Sequence, residues 1–127
     1  MPGSILIIDD DPRNIFALSA VLRAKGYTCL TAGSAQQGLS IIDEVPDIGI
    51  VLMDMMMPDM DGYQAIPLLL QQYKLPVIAV TAQAMVGDRE KCLATGAVDY
   101  ISKPIDVDRL LHILQNILIS NRGNSCA

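Results

Sequence analysis

The chain contains no tryptophan, one phenylalanine, one histidine and three cysteines among its 127 residues. Each scarcity argues against a class of function. Without tryptophan there is no indole to stack on a flavin ring. A lone histidine, His112, leaves little from which to build a histidine-based metal site or a nucleophilic triad. Cys29, Cys92 and Cys126 are odd in number and far apart. They are read as free, inert thiols in a reducing cytoplasm, with neither a disulfide framework nor a zinc site. Long apolar runs are also missing, since stretches such as Ile48–Met53 fall far short of the ~20 residues a membrane-spanning helix needs. The N-terminus carries no basic-then-apolar export signal. A cytoplasmic location without membrane contact is therefore expected.

What the chain has in quantity is acid, unevenly placed. Residues 1–63 hold nine carboxylates against three basic side chains, a balance of −6, whereas residues 64–127 hold six bases against five acids, or +1. The acid gathers in Asp9-Asp10-Asp11 and in Asp54, Asp59 and Asp61. Such a chain is a poor direct ligand for nucleic acid, because phosphate binding depends on clustered Lys and Arg. With 51% of residues apolar and 18% charged, it has the composition of one folded domain.

Apolar runs and amphipathic stretches alternate along the chain. Ser4–Ile8 reads as a strand, followed by a helix over Pro12–Lys25 with Ile15, Leu18, Val21 and Leu22 at helical spacing. Asp11 is its N-cap, Pro12 suits the first helical position and Gly26 ends it. Tyr27–Ala32, Ile48–Met53, Pro76–Val80 and Val98–Ile101 read as further strands. Helices are expected over Ser34–Glu44, about Gly62–Tyr73, about Met85–Thr95 and Val107–Ser120, with a frayed polar tail over Asn121–Ala127. Five strands alternating with five helices predict a doubly wound α/β parallel sheet. The functional site of such a sheet lies at the carboxyl ends of its strands. That places Asp9, Asp10, Asp54, Thr81 and Lys103 on one edge.

Carboxylates gathered in a cleft repel one another, so a cation normally sits among them. All-oxygen ligands with no nearby His or Cys favour Mg²⁺, with Mn²⁺ as a substitute. Lys103 and Thr81 add an ammonium and a hydroxyl suited to phosphoryl oxygens. An aspartate in such company can accept a phosphoryl group covalently.

The strings ILIIDDDPRN, VLMDMMMPDMDG, VIAVTAQA and DYISKPID, in this order and spacing, closely resemble the receiver domain of two-component response regulators. The resemblance covers about residues 4–120, and VGDREKCLATGAVDYISKPI looks most like receivers associated with hybrid histidine kinases. It implies a flavodoxin-like sheet of strand order 2-1-3-4-5, a receiver domain over residues 1–120 and a flexible C-terminal tail over 121–127. Carried over, it makes Asp54 the phosphoacceptor and Asp9 and Asp10 the Mg²⁺ pair, Asp10 directly and Asp9 partly through water. The backbone carbonyl of Met56 becomes a further ligand, and Thr81 and Lys103 bind the phosphoryl oxygens. Thr81 and Tyr100 become the switch pair, the alternative for Tyr100 being plain packing, and the Lys103–Pro104 peptide is expected to be cis. The implied partner is a histidine kinase or a histidine phosphotransfer domain. A homodimer or an effector would bind at the fourth helix, fifth strand and fifth helix.

The remaining residues have plainer readings. Asp11 is a cap, while Asp59, Asp61 and Gly62 form the turn that starts the third helix. Met53, Met55, Met56, Met57 and Met60 pack the core and loop rather than bind soft metal, and His112 lies on the surface. On the last helix Val107, Leu110, Leu111, Leu114 and Leu118 form a core stripe widened by Ile113 and Ile117. Ile119, opposite, is left to burial or to a partner face. Pro67 should kink or delay the third helix. Met56 and Gln83, two residues after Asp54 and Thr81, stand where the family controls access of water, and a bulky Met56 suggests slow dephosphorylation. A haloacid-dehalogenase-like aspartate phosphatase is disfavoured, because Met56 stands where its acid/base aspartate would be. A flavodoxin-like flavin carrier is disfavoured by three aspartates where a phosphate loop belongs. A pseudo-receiver would lack a phosphorylation residue, and none is missing.

Overall fold

The computed structural model describes residues 4–45, 47–55, 66–73, 75–81, 94, 96–102 and 105–126. Strands β1 (Ser4–Ile8), β2 (Cys29–Ala32), β3 (Ile48–Asp54), β4 (Val77–Thr81) and β5 (Asp99–Ser102) form one sheet of order β2-β1-β3-β4-β5. All four pairings are parallel. This is the expected doubly wound sheet and strand order. β1 and β4 are buried along their whole length, as apolar strands covered on both faces must be.

Alternate residues of β1 feed two cores, because successive side chains point to opposite faces. Leu6 and Ile8 pack with Ala35 and Ile42 of helix α2 (Ala35–Glu44) and with Ile66 and Leu69 of a helical stretch over residues 66–73, here α3. Ile5 and Ile7 pack with Leu18 and Leu22 of α1 (Pro12–Ala24) and with Leu110, Ile113 and Leu114 of α4 (Val107–Cys126). Met53 and Met55 are fully buried, so these two methionines pack the core. His112 is exposed.

The helix ends follow local chemistry. Asp11 caps α1 by accepting from the Arg13 N–H at 3.0 Å, with Pro12 at the first helical position. At the other end Gly26 adopts φ +93°, and the N–H groups of Gly26 and Tyr27 return to the carbonyls of Arg23 and Leu22 at 3.0 Å each. This Schellman closure needs the left-handed conformation that glycine adopts without strain. Ser34 caps α2 by accepting from the Gln37 N–H at 3.1 Å, and Gln37 Oε1 accepts from the Gly33 N–H at 2.8 Å.

Some boundaries differ from expectation. β3 and β4 run on to Asp54 and Thr81, because ladder pairing continues past the last apolar residue. β5 begins at Asp99, and Val98 ahead of it is half-exposed. β2 begins at Cys29, two residues after the Schellman closure ends at Tyr27. The third helix carries a π-helical turn at Leu69–Tyr73, on the carboxyl side of Pro67. The kink or delay expected from Pro67 falls on its amino side, where residues 56–65 lie outside the described residues. α4 continues to Cys126, past the expected end at Ser120. No proline interrupts it, and extending an existing helix fixes one residue per hydrogen bond gained. The expected helix over about Met85–Thr95 lies outside the described residues apart from Ala94, which is helical. The expected side-chain positions of Leu118 and Ile119 also lie outside them.

Candidate functional site

Parallel pairing brings the carboxyl ends of β1, β3 and β4 together. Ile8 pairs with Met53 and Asp54 with Val80, so Asp9, Asp54 and Thr81 come to one edge. All three are buried, at 2%, 3% and 5% relative exposure, while Asp10 is exposed. Carboxylate oxygens of Asp9, Asp10 and Asp54 lie within 4.8 Å of one another. This cluster, expected from the sequence, can hold a hard cation, because its donors are all oxygen and their spacing lets one ion meet all three.

Each member is positioned differently. The Asp9 N–H donates to the Ala32 carbonyl at 3.1 Å, which extends the β1–β2 pairing by one residue. Its carboxylate turns onto the start of α1, where Oδ1 accepts from the Asp11 N–H at 2.9 Å and Oδ2 accepts from Nδ2 of Asn14. Asp54 is the last residue of β3, and the next N–H, that of Met55, donates to the Val80 carbonyl at 2.9 Å. Asp11 faces Arg13, whose backbone N–H holds the Asp11 carboxyl below its ordinary range. Asp11 thus serves as the cap.

Thr81 pairs with Ser102 on β5. Tyr100, two residues earlier, is half-buried against the core that holds Met53 and Ala79. The Arg109 guanidinium of α4 lies 5.8 Å from the centre of the Tyr100 ring, donates to the Tyr100 carbonyl at 3.2 Å and approaches Asp99 at 3.7 Å. Burial raises the Cys29 thiol above its usual pKa, which keeps it protonated and unreactive.

Met56, Asp59, Asp61, Gly62, Gln83, Lys103 and Pro104 lie outside the described residues, as does the Lys103–Pro104 peptide expected to be cis. Two described residues with contacts at or beside the site went unnoticed in the sequence. Asn14 follows Asp9 by five residues on a helix that starts at Pro12, a spacing that folds its amide back toward the strand end and that could have flagged it. Arg109 carried no local signal, because its contact with Tyr100 crosses from α4 to β5.

A parallel sheet of this order with clustered carboxylates at its carboxyl edge defines the class of protein, and comparison with known proteins agrees. Residues 5–115 match the family described as the response regulator receiver domain. The signal transduction histidine-protein kinase BarA of Escherichia coli K12 is 39% identical over 114 residues, which is 87% of this chain and 12% of the kinase. The sensor histidine kinase RcsC of Salmonella typhi is 38% identical, with the match covering 87% of this chain and 12% of that protein. The chain thus spans about an eighth of these two relatives. Among solved structures, a CheY-like receiver domain protein from Methanospirillum hungatei superimposes with a TM-score of 0.87 at 27% identity, covering 98% of this chain and 99% of that one. The chain belongs to the response regulator receiver domain family. Its likeness to two histidine kinases bears out the expected kinship with receivers associated with hybrid histidine kinases. No described helix is long and apolar enough to cross a membrane.

Proposed function

We propose that this receiver is a phosphorylation-controlled switch in a two-component phosphorelay and that Asp54 is its phosphoacceptor. The observation that carries the reading is the convergence of Asp9, Asp10 and Asp54 within 4.8 Å at the edge where β4 delivers Thr81. Asp9, Asp10, Asp54 and the Met56 carbonyl would hold Mg²⁺, or Mn²⁺ in its place, which when bound would supply positive charge to the phosphoryl oxygens. An Asp54 oxygen attacks phosphorus in line as the P–N bond of a phosphohistidine breaks and the imidazole leaves. Lys103 and the Thr81 hydroxyl neutralise and hold the transferred oxygens. Water later hydrolyses the acyl phosphate, so the domain catalyses both its own phosphorylation and its own dephosphorylation.

The phosphoryl group draws Thr81 inward, and the Tyr100 ring follows. The resulting population shift is read at the face expected for the fourth helix together with β5 and α4, by an effector or by a second copy. The domain works in the cytoplasm, its phosphoryl donor is a histidine kinase or histidine phosphotransfer domain, and residues 1–120 form the unit that donor recognises, followed by the 121–127 tail. Neither nucleic acid nor membrane is a direct partner.

Incubation with acetyl phosphate followed by intact mass spectrometry tests this. One phosphoryl group should be taken up only when Mg²⁺ is present, and none by Asp54→Asn. Uptake by Asp54→Asn, or no uptake by the folded wild-type chain with Mg²⁺, would refute it.

A further inference from the structure

We propose that Asn14 is a positioning residue of the cation site, fixing the plane in which the Asp9 carboxylate stands beside Asp10 and Asp54. The inference rests on the Mg²⁺ reading above and concerns a residue with no part in that reading. Asp9 is 2% exposed, and its two oxygens are held by two donors of the first turn of α1: the Asp11 N–H on Oδ1 and Asn14 Nδ2 on Oδ2. A carboxylate torsion is broad when nothing holds it. With a donor on each oxygen, the plane of the group is set by α1, and α1 in turn is anchored by its Asp11 cap and Pro12. The gathering of the three carboxylates within 4.8 Å depends on that plane. Asp10, by contrast, is exposed.

An outer residue that orients a ligand typically changes metal affinity by about 10- to 100-fold. The test is Mn²⁺ binding by the full chain, followed by electron paramagnetic resonance, together with thermal unfolding in chelator. Asn14→Ala and Asn14→Leu should each bind Mn²⁺ about tenfold more weakly, the second keeping the side-chain volume, whereas Asn14→Gln keeps an amide donor and should recover most of the affinity. Unfolding temperatures in chelator should not follow this order. Affinities of the Ala and Leu variants within twofold of wild type would overturn the proposal, as would losses that follow unfolding temperature rather than the amide. A wild-type chain that binds no Mn²⁺ would instead refute the cation site itself, and this inference with it.

Discussion

Gly38 in α2 sits against the end of β1, and a methyl group there would meet Ile8 Cδ1 at 2.5 Å and Cγ1 at 2.9 Å. Ile8 is 1% exposed and directly precedes Asp9, so it has little room to retreat without moving the site. Two effects oppose each other in Gly38→Ala. Alanine is the better helix former by about 1 kcal/mol, whereas overpacking a core costs about 1–3 kcal/mol. Because both contact distances lie below ordinary van der Waals separation, overpacking should win, leaving a net loss of about 1 kcal/mol. For a chain of this length that lowers Tm by roughly 4 °C. Ile8→Val removes Cδ1, the closer of the two atoms, and alone should cost about 0.5–1.5 kcal/mol. Combined, the two changes should be less harmful than their sum by about 1 kcal/mol, the range expected of side chains in contact. Urea unfolding followed by circular dichroism suits a chain without tryptophan. A Gly38→Ala chain more stable than wild type, or strict additivity in the pair, would refute the close approach of α2 to β1.

Two further predictions concern polar groups. The Ser19 hydroxyl in α1 is buried and has no hydrogen-bond partner among the described residues. Ser19→Ala should therefore raise stability by about 0.5–1 kcal/mol in the same urea assay, through better helix propensity and removal of an unsatisfied group; a loss of stability would show that the hydroxyl is satisfied. Tyr73 donates its hydroxyl to Asp43 Oδ1 at 2.8 Å, and that carboxylate, with some desolvation, raises the phenol above its ordinary value of 10.0. A folded pKa above the unfolded one means that the contact stabilises fully below about pH 10 and is lost as pH rises through the folded value. The Tm advantage of wild type over Tyr73→Phe should accordingly hold at pH 8 and vanish in stronger alkali. An advantage that grows with pH would refute it.

The layout of the sheet was legible because a parallel strand covered on both faces must be continuously apolar, as β1 and Ile48–Met53 are. Its edges were less legible. Asp54 and Thr81 belong to the ladder despite their polarity, and Val98 lies outside β5 despite its side chain. Hydrophobicity reports burial, whereas strand ends are set by backbone pairing. The last turns of α4 lack an apolar stripe, so nothing in the pattern announced them. The acidic members of the site could be read because each stands directly after or at the end of a strand, where topology alone brings them together. Asn14 and Arg109 act through single polar contacts made in three dimensions, and residue type and position do not announce those.

The same topology shows why the −6 half of the chain is more than an acidic surface. Asp9 and Asp54 are charges taken out of water, which is costly unless each is paired or hydrogen-bonded. At the 4.8 Å limit of the cluster, each pair of ionised carboxylates repels by roughly 3 kcal/mol at an effective dielectric of about 20. That is a substantial fraction of the ~5–15 kcal/mol by which a domain is stable. A fold that only needed acid for solubility would place it where water screens it, as it does with Asp10. Under the Mg²⁺ reading proposed above, a cation at this edge would relieve part of that repulsion, which would tie cation affinity to the rigidity with which β1, β3 and the first turn of α1 hold their carboxylates in place.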